Sequence, residues 1–283
     1  MITPKPFQAL FLILVLCVAG LNTTEPAGAT GAAMRDNHRA CVHHKKVQHW
    51  VDERQIERIG FYRDVFGSQA SLAIAGQPPQ SYLALRVAAD PNSSTYTASR
   101  ITETESQLPI AERTKCWQPD TKRDVLVEYT LRFQQATVQL GMTENQFLWN
   151  APLPSPQHPE PAVPLTAFGV TRSNGGYSAV LAQDLDLATF SGFVQIVPMP
   201  AWLNAADWHR VRVRVSTTHA RVEVAQGAHQ FTVVADADLP RAPDPMGFEF
   251  SVDNEAAPGT FVPVTVPDGV DVGPFDIRTV AHR

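Results

Sequence analysis

The chain has 283 residues, a formal net charge of −5 and a pI near 6.0, with 44% hydrophobic and 18% charged residues. This composition is that of an ordinary globular protein with a sizeable core, and it excludes disorder of the whole chain. Nucleic acids and anionic membranes attract basic surfaces, so the mildly acidic balance predicts neither as a partner.

The N-terminus has the layout of a secretory signal peptide. One lysine precedes an apolar run from Phe7 to Ala19, and small residues stand at Val18-Ala19-Gly20. The run is shorter than the roughly 20 residues that span a bilayer, which favours a cleaved signal over a retained anchor. We therefore predict residues 1–20 as the signal peptide, with cleavage after residue 29 as the alternative. The mature protein is then secreted or on the cell surface, without membrane contact.

Removal of this segment leaves two cysteines, Cys41 and Cys116, in a compartment that permits disulfides. We predict that they pair, which would close a loop of about 75 residues and stabilise the fold by about 4 kcal/mol in the chain-entropy model. Two unpaired buried thiols are the alternative. The histidine-rich stretch 38–49 matches no metal-ligand spacing, so no metal site is predicted.

Residues 21–70 are predicted to form an N-terminal segment of irregular or short helical structure. Ile56, Ile59, Tyr62 and Val65 recur at helical spacing among charged residues, although Gly60 weakens a helix there. Residues 71–283 are predicted to form one β-sandwich domain. Its segment 151–164 holds six prolines and is predicted to be an exposed loop, with a linker between two smaller domains as the alternative.

Many short strands separated by turn residues, without clear helices between them, follow residue 71. The predicted strands are Tyr82–Ala89, Thr95–Thr102, Val125–Phe133, Gln146–Trp149, Tyr177–Leu181, Gly192–Val197, Met246–Val252 and Phe275–Val280. This pattern is typical of an all-β, two-sheet antiparallel sandwich or jelly roll rather than a parallel α/β sheet.

The stretch 207–234 alternates apolar and polar residues and predicts a three-stranded meander. A turn at Thr217-Thr218 pairs valines with valines and Arg212 with Glu223, and a turn at Gly227-Ala228 pairs Val224 with Phe231 and Val222 with Val233. All apolar side chains then share one buried face. The arginines at 210, 212 and 214 are predicted to form a solvated convex face, with binding of acidic polysaccharide as the alternative.

Candidate ligand-binding residues are aromatic side chains near loops or strand ends, and polar ones that leave a strand. Flat amphipathic rings stack on sugars, and loops carry binding groups. The candidates are Trp117, Trp149, Tyr177, Trp202, Asp253, Asn254 and Glu255. Packing in the core is the alternative for each ring. Among acid pairs at a spacing of two, Glu103 and Glu105 are the least weak catalytic candidate. A solvent-exposed strand face or a turn is the preferred explanation of each such pair.

Four segments resemble the concanavalin A-like lectin/glucanase superfamily, most of all the family 16 glycoside hydrolases and their non-catalytic relatives. They are YTASRITE at 96–103, FLWN at 147–150, DWHRVRVRV followed by HARVEVAQG, and VGPFDIRTV at 272–280. The resemblance covers residues 80–283 and implies a concanavalin A-like jelly roll with carbohydrate recognition on its concave sheet. Calcium is common in that superfamily, but no ligand set maps onto these residues, so no cofactor is predicted.

The sequence departs from those hydrolases where they carry a Glu-x-Asp-x-x-Glu or similar strand. Here the corresponding place reads PEPAVPLTAFGVTRSNGG, without a pair of carboxylates, and retaining hydrolysis then has no mechanism. The sequence therefore predicts a secreted, non-catalytic protein that binds a polysaccharide or another glycan. A glycoside hydrolase or polysaccharide lyase of the same fold and a structural cell-surface protein are the alternatives.

Overall fold

A computed structural model describes residues 44–103, 117–134, 139–150, 165–173, 176–186, 191–257 and 260–282. Within these ranges the chain forms strands with one short α-helix, α1 (Arg54–Arg58). No helix in this described part is long and apolar enough to cross a membrane. The predicted signal peptide, Cys41, Cys116 and the proline-rich segment 151–164 lie outside the described residues, so these predictions stay predictions.

The strands in chain order are β1 (His44–Val47), β2 (Phe61–Phe66), β3 (Ala70–Ala75), β4 (Tyr82–Val87), β5 (Ala98–Glu103), β6 (Arg123–Phe133), β7 (Thr143–Asn150), β8 (Leu165–Ser173), β9 (Gly176–Asp186), β10 (Ser191–Pro198), β11 (His209–Val215), β12 (His219–Gln226), β13 (Thr232–Asp238), β14 (Gly247–Asp253), β15 (Glu255–Ala257), β16 (Thr260–Phe261) and β17 (Asp268–Ala281).

Two large antiparallel sheets pack face to face. The eight-stranded sheet has the order β13-β12-β11-β6-β17-β4-β3, with β1 paired to β17, and the seven-stranded sheet has the order β10-β9-β8-β7-β14-β5-β2. Strands β15 and β16 form a small separate pair. The predicted all-β antiparallel sandwich is confirmed.

The core between the sheets is built by period-two burial from both sides. Val211, Val213 and Val215 of β11 are fully buried, because every second residue of a strand points to the same face. Tyr129 of the eight-stranded sheet meets Phe250 of the seven-stranded sheet edge to face, with ring centroids 5.3 Å apart. Each such fully buried side chain contributes about 1.5–3 kcal/mol of transfer free energy.

The first hairpin of the meander has the predicted register, and the second does not. Arg212 pairs with Glu223 and Val213 with Val222 as expected. In the second hairpin Val224 pairs with Thr232, because the connection between the strands is one residue longer than predicted. Further from the turn Val222 pairs with Ala235, because Val234 of β13 is an extra residue between the partners of Glu223 and Val222. The predicted pairs of Val224 with Phe231 and Val222 with Val233 are therefore wrong. Simple alternation does not reveal a β-bulge, which adds one residue to one strand.

The arginines of β11 bind groups of neighbouring strands on the outer surface of the eight-stranded sheet. Arg212 donates to Glu128 Oε1 at 2.7 Å and contacts Glu223 Oε2 at 3.5 Å, and Arg214 donates to Asp124 Oδ2 at 2.7 Å. Their side chains are 32% and 28% exposed. Two arginines of the predicted solvated stripe, Arg212 and Arg214, thus form partly buried ion pairs.

Residues 44–70 contribute to both sheets. Strand β1 pairs with β17 and β2 pairs with β5, so the sandwich includes strands that precede residue 71. Helix α1 buries Ile56, and Gly60 follows it with a φ of +80°, a conformation that favours glycine. The chain then becomes extended, which places Tyr62 and Val65 in β2 rather than in a helix.

Candidate functional site

The seven-stranded sheet has one face against the other sheet and one face turned away from it, which we call the outer face. Residues that alternate with the core positions lie on this outer face. On the central and edge strands they include Tyr62, Asp64, Phe66, Arg100, Thr102, Thr143, Asn145, Phe147, Trp149, Gly169, Thr171, Ser178, Val180, Glu249, Ser251 and Asp253.

A row of polar side chains crosses six strands of this face. The strand registers align, in order, Asp64, Arg100, Ser251, Asn145, Thr171 and Ser178, and we call this set the polar row. Thr171 Oγ1 donates to Asn145 Oδ1 at 2.7 Å, and Arg100 Nε donates to Asp64 Oδ2 at 2.8 Å. The row therefore offers a charged pair at the β2 edge and uncharged polar groups further in.

An apolar cluster lies beside the polar row on the same face. Its members are Phe147, Trp149, Leu165, Ala167, Val180, Ala182 and Leu185, with Ile196 packed against them. Gly169 lies opposite Phe147 in the register, and a Cβ there would be 2.0 Å from the Gln146 carbonyl oxygen and 3.0 Å from Phe147 Cδ1. A residue without a side chain is required for β7 and β8 to approach this closely.

Exposure of the outer face increases toward the β2 edge. In the middle of the sheet Thr171 is 1% and Asn145 is 4% exposed, whereas Tyr62, Asp64 and Phe66 at the edge are half-buried. The edge formed by β2 is therefore the accessible part of the polar row.

Three partly exposed aromatic rings stand at this edge, and we call them the aromatic rim. Phe66, Tyr96 and Phe261 follow one another with ring centroids 5.3 Å apart and ring planes inclined by 45° at each step. The Arg100 guanidinium carbon lies 5.3 Å from the Phe66 ring centroid, within the range of a cation–π contact. The rim thus joins directly onto the charged end of the polar row.

Burial and neighbouring charges set the protonation of this edge. Burial raises the pKa of Tyr62 to about 12, so its phenol keeps its proton. Burial alone would lower the pKa of Arg100, but Tyr96, Glu249 and Asp64 raise it, so the guanidinium stays charged. Burial also raises the pKa of Glu249, whose Oε2 accepts a hydrogen bond from Thr102 at 2.8 Å.

Two of the residues predicted from the sequence lie on the outer face, but far apart. Trp149 is opposite Gly247 at one end of β7 and β14, and Asp253 is opposite Thr143 at the other end. Asp253 Oδ1 accepts a hydrogen bond from Thr143 Oγ1 at 2.8 Å. The structure does not bring these two candidates together.

The other predicted binding residues lie elsewhere. Trp117 is 3% exposed in the core, and Tyr177 packs against the core with its hydroxyl 3.0 Å from His209 Nε2. Trp202 is 49% exposed in the connection between β10 and β11. Asn254 is 1% exposed and holds backbone groups of Thr95, Thr97 and Val262. The backbone of Glu255 begins β15, and its side chain lies outside the described residues.

Glu103 of the alternative acid pair points into the core. Its carboxylate accepts hydrogen bonds from Lys45 Nζ at 2.5 Å, Trp117 Nε1 at 2.8 Å and the Phe248 amide at 2.8 Å. Glu105 lies outside the described residues. In the chain that the structure describes, no three His, Cys, Asp or Glu side chains are placed to hold a metal ion.

The residues of the β2 edge were not among those predicted from the sequence. The spacing of two in FYRDVF puts Tyr62, Asp64 and Phe66 on one strand face. In YTASR, Tyr96 and Arg100 are four residues apart, which also places them on one face of an extended chain. These patterns were available signals. Phe261 carries no comparable signal, because only the tertiary fold brings it beside Tyr96.

No protein-family model matches the sequence, and no curated protein matches it either. Among solved structures, the chain is similar to an endo-β-1,4-glucuronan lyase from the fungus Trichoderma reesei, with 11% identity and a TM-score of 0.51 over 85% of this chain and 96% of that one. It is also similar to a Bacteroides ovatus mixed-linkage glucan PUL GH16 in complex with a G4G4G3G product, with 8% identity and a TM-score of 0.53 over 82% and 98%. This chain has the concanavalin A-like fold.

The concanavalin A-like sandwich confirms the fold that the sequence resemblance implied. Its FLWN stretch lies in β7, and the strand after it is β8. The sequence of β8, LTAFGVTRS, contains no Asp or Glu. The strand that follows the aromatic one in the chain therefore puts no carboxylate on the outer face, whereas β14, on the other side of β7, has Glu249 and Asp253 there.

Proposed function

We propose that this protein is a secreted, non-catalytic glycan-binding protein, and that the aromatic rim and the Asp64–Arg100 pair bind the sugar. The observation that carries this proposal is the series of three partly exposed rings beside a charged pair at the β2 edge. Sites that hold small polar ligands combine an apolar platform with a few convergent polar groups, and this edge has both.

Each part of the edge matches a part of a sugar ring. The rings of Tyr96 and Phe261 offer flat apolar surface for the C–H face of a pyranose. The Asp64 carboxylate, 17% exposed, accepts hydrogen bonds from hydroxyl groups. The Tyr62 phenol stays protonated because its pKa is raised to about 12, so it can donate one.

The two similar structures supply the class of ligand to test first. One is named a β-1,4-glucuronan lyase, and the other is a mixed-linkage glucan GH16 with a bound product. β-Linked glucans, acidic and neutral, are therefore the first candidates.

Several features support binding without catalysis. Retaining hydrolysis needs two carboxyl groups about 5–5.5 Å apart. Strands β2 and β14 are separated by β5, so Asp64 and Glu249 belong to strands roughly 10 Å apart. Arg100 contacts Asp64, Thr102 donates to Glu249, and Thr143 donates to Asp253, so each acid already serves the sheet. For β-elimination, a Tyr62 pKa of about 12 makes its phenolate scarce as a base.

Affinity electrophoresis in gels containing glucuronan or mixed-linkage β-glucan tests the proposal. The wild-type protein is expected to be retarded by at least one of the two polysaccharides. Tyr96→Ala should weaken binding by at least about tenfold, the effect of losing about 1.4 kcal/mol at a central contact. Trp202→Ala, which removes a 49% exposed ring elsewhere, is the matched control and should bind normally.

Three outcomes would count against the proposal. Absence of binding to a broad glycan panel would contradict glycan recognition. Loss of binding in Trp202→Ala with normal binding in Tyr96→Ala would place the site elsewhere. Release of reducing sugars or unsaturated products during incubation with these polysaccharides would contradict the absence of catalysis.

Secretion and the disulfide are part of the proposal and have their own test. Expression of the full chain in a secreting host should yield protein in the medium with an N-terminus near residue 21. Mass spectrometry should show Cys41 linked to Cys116 in that product and free after reduction. Intracellular retention with an intact N-terminus would contradict secretion.

A further inference from the structure

A pocket of about 370 Å³ opens on the outer surface of the eight-stranded sheet, on the side of the sandwich opposite the outer face of the seven-stranded sheet. Its walls come from β1, β6, β11 and β17 and from the connection between β12 and β13. Small-molecule sites span roughly 300–1,000 Å³, so this pocket is large enough for a ligand of one or two sugar rings.

A bulge in β17 and the connection between β12 and β13 both contribute to the pocket wall. The pairing of β17 with β6 shifts register between Val272 and Phe275, and Pro274 within the shift lines the pocket wall. Phe231, in the connection between β12 and β13, lines the pocket on another side. The Phe231 ring centroid lies 4.7 Å from the guanidinium carbon of Arg210 and 4.0 Å from that of Arg212. The pocket therefore has apolar surface beside positive charge.

The anions of the pocket are already paired, and two of its cations are not paired with carboxylates among the described residues. Glu128 is bound by both Arg212 and Arg278, and Asp276 by Arg278. Arg210 donates to two backbone carbonyls, those of Gly227 at 3.0 Å and His229 at 2.5 Å. Lys46 is exposed at the rim of the pocket.

The lining selects for a particular kind of anion. Lys46 and Arg210 attract a single carboxylate, to which guanidinium groups donate charge-assisted hydrogen bonds. Glu128 and Asp276 repel ligands with several negative charges, such as phosphates, yet their oxygens accept hydrogen bonds from hydroxyl groups. Phe231 and Pro274 offer apolar surface for a saturated ring.

We propose that this pocket is a second binding site, specific for a uronic acid residue, that is, a sugar ring with one carboxylate and several hydroxyl groups. The site shares no residue with the aromatic rim and does not depend on sugar binding there. Together the two sites would let one protein hold two glycan segments on opposite sides of the sandwich, with a uronic acid residue in the pocket.

Titration calorimetry on the full chain tests this site with tri-galacturonate, glucuronan trisaccharide and neutral cellotriose as probes. The Tyr96→Ala background removes the contribution of the aromatic rim. In that background we expect saturable binding of at least one uronate and at least about tenfold weaker binding of cellotriose. High salt should weaken uronate binding, because the pocket is open to solvent.

Variants of the two cations distinguish the pocket from other surfaces. Arg210→Ala should weaken uronate binding at least about tenfold, and Lys46→Ala about threefold because this side chain is exposed. Lys122→Ala, at an exposed lysine outside the pocket, is the matched control and should bind normally. Arg210→Ala removes hydrogen bonds to the connection between β12 and β13 and can disturb it. Lys46→Ala removes only an exposed side chain and leaves the fold intact, so it tests the pocket independently.

Absence of uronate binding in Tyr96→Ala, or binding unchanged in both Lys46→Ala and Arg210→Ala, would overturn the second site. Neither result bears on the proposed glycan binding at the aromatic rim, which is tested separately by affinity electrophoresis in polysaccharide gels. Equal affinity for cellotriose and the uronates would overturn the specificity for a carboxylate.

Discussion

Replacing Glu103 by Ala is expected to destabilise the fold strongly, because three donors converge on this buried carboxylate. The Glu103 side chain is 3% exposed and the Lys45 side chain is 15% exposed. Lys45 Nζ, the Trp117 indole and the Phe248 amide all donate to the carboxylate. Because Glu103 faces the core, this change should alter the stability of the fold without changing the contacts of the aromatic rim at the β2 edge.

The magnitude follows from what the substitution leaves behind. Breaking a buried ion pair from one side costs about 3–5 kcal/mol, since the remaining charge stays uncompensated. Glu103→Gln removes the charge and leaves one acceptor oxygen. If that oxygen accepts from Trp117, the new NH2 group faces the Phe248 amide, so we expect a loss of about 3 kcal/mol. Lys45→Met should lower the free energy of unfolding by a similar amount. The loss in the double variant Lys45→Met/Glu103→Gln should be about 1–2 kcal/mol smaller than the sum of the two single losses.

Urea unfolding followed by tryptophan fluorescence measures these losses, and Trp117 reports directly on this cluster. Glu53→Ala is the control, because its ion pair with Arg63 is 40–45% exposed and should contribute less than about 1 kcal/mol. A Glu103→Ala loss below about 1 kcal/mol, or strictly additive losses in the double variant, would refute the reasoning.

Three further predictions concern the core and the outer surfaces. Burial lowers the pKa of His209 to about 4, against the opposing pull of Asp207, so the folded protein keeps this imidazole neutral. The unfolded chain binds a proton at this imidazole below about pH 6.5, whereas the folded protein does not. Between pH 6.5 and 4 the free energy of unfolding should therefore fall by up to about 3 kcal/mol more in wild type than in His209→Gln. Identical pH dependence of unfolding in the two proteins would contradict this. Gly169→Ala should lower the free energy of unfolding by about 1–3 kcal/mol, because the new Cβ would overlap the Gln146 carbonyl. An unchanged midpoint of urea unfolding would argue against the close approach of β7 and β8. Arg212→Ala should cost only about 1 kcal/mol, and less at high salt, because its ion pairs are partly exposed; a larger loss that salt does not reduce would contradict this.

The alternation of apolar and polar residues predicted those strands that have one solvent-exposed face and one buried face. Strand β11 shows this, because a slip of one residue would have put its valines in water and its arginines in the core. Strand β8 was missed, since all nine of its residues are buried and its sequence therefore does not alternate. The bulge in β13 was missed for a different reason, because the adjacent Val233 and Val234 fit either register.

The candidate site was harder to predict than the fold, because its residues come from segments far apart in sequence. Phe66, Tyr96 and Phe261 meet only after β2 and β5 have paired and the β15–β16 pair has folded back beside them. Trp117 and Tyr177 looked equally suitable from their types, but a sandwich also needs large rings in its core. Residue type alone could not separate these two uses.

A crystal structure of the protein with the oligosaccharide that it binds most tightly is the most direct test of the glycan-binding site. The account predicts a sugar ring stacked on Tyr96 or Phe261, with a hydroxyl group hydrogen-bonded to Asp64. A sugar bound beside Trp202, with the β2 edge unoccupied, would contradict it.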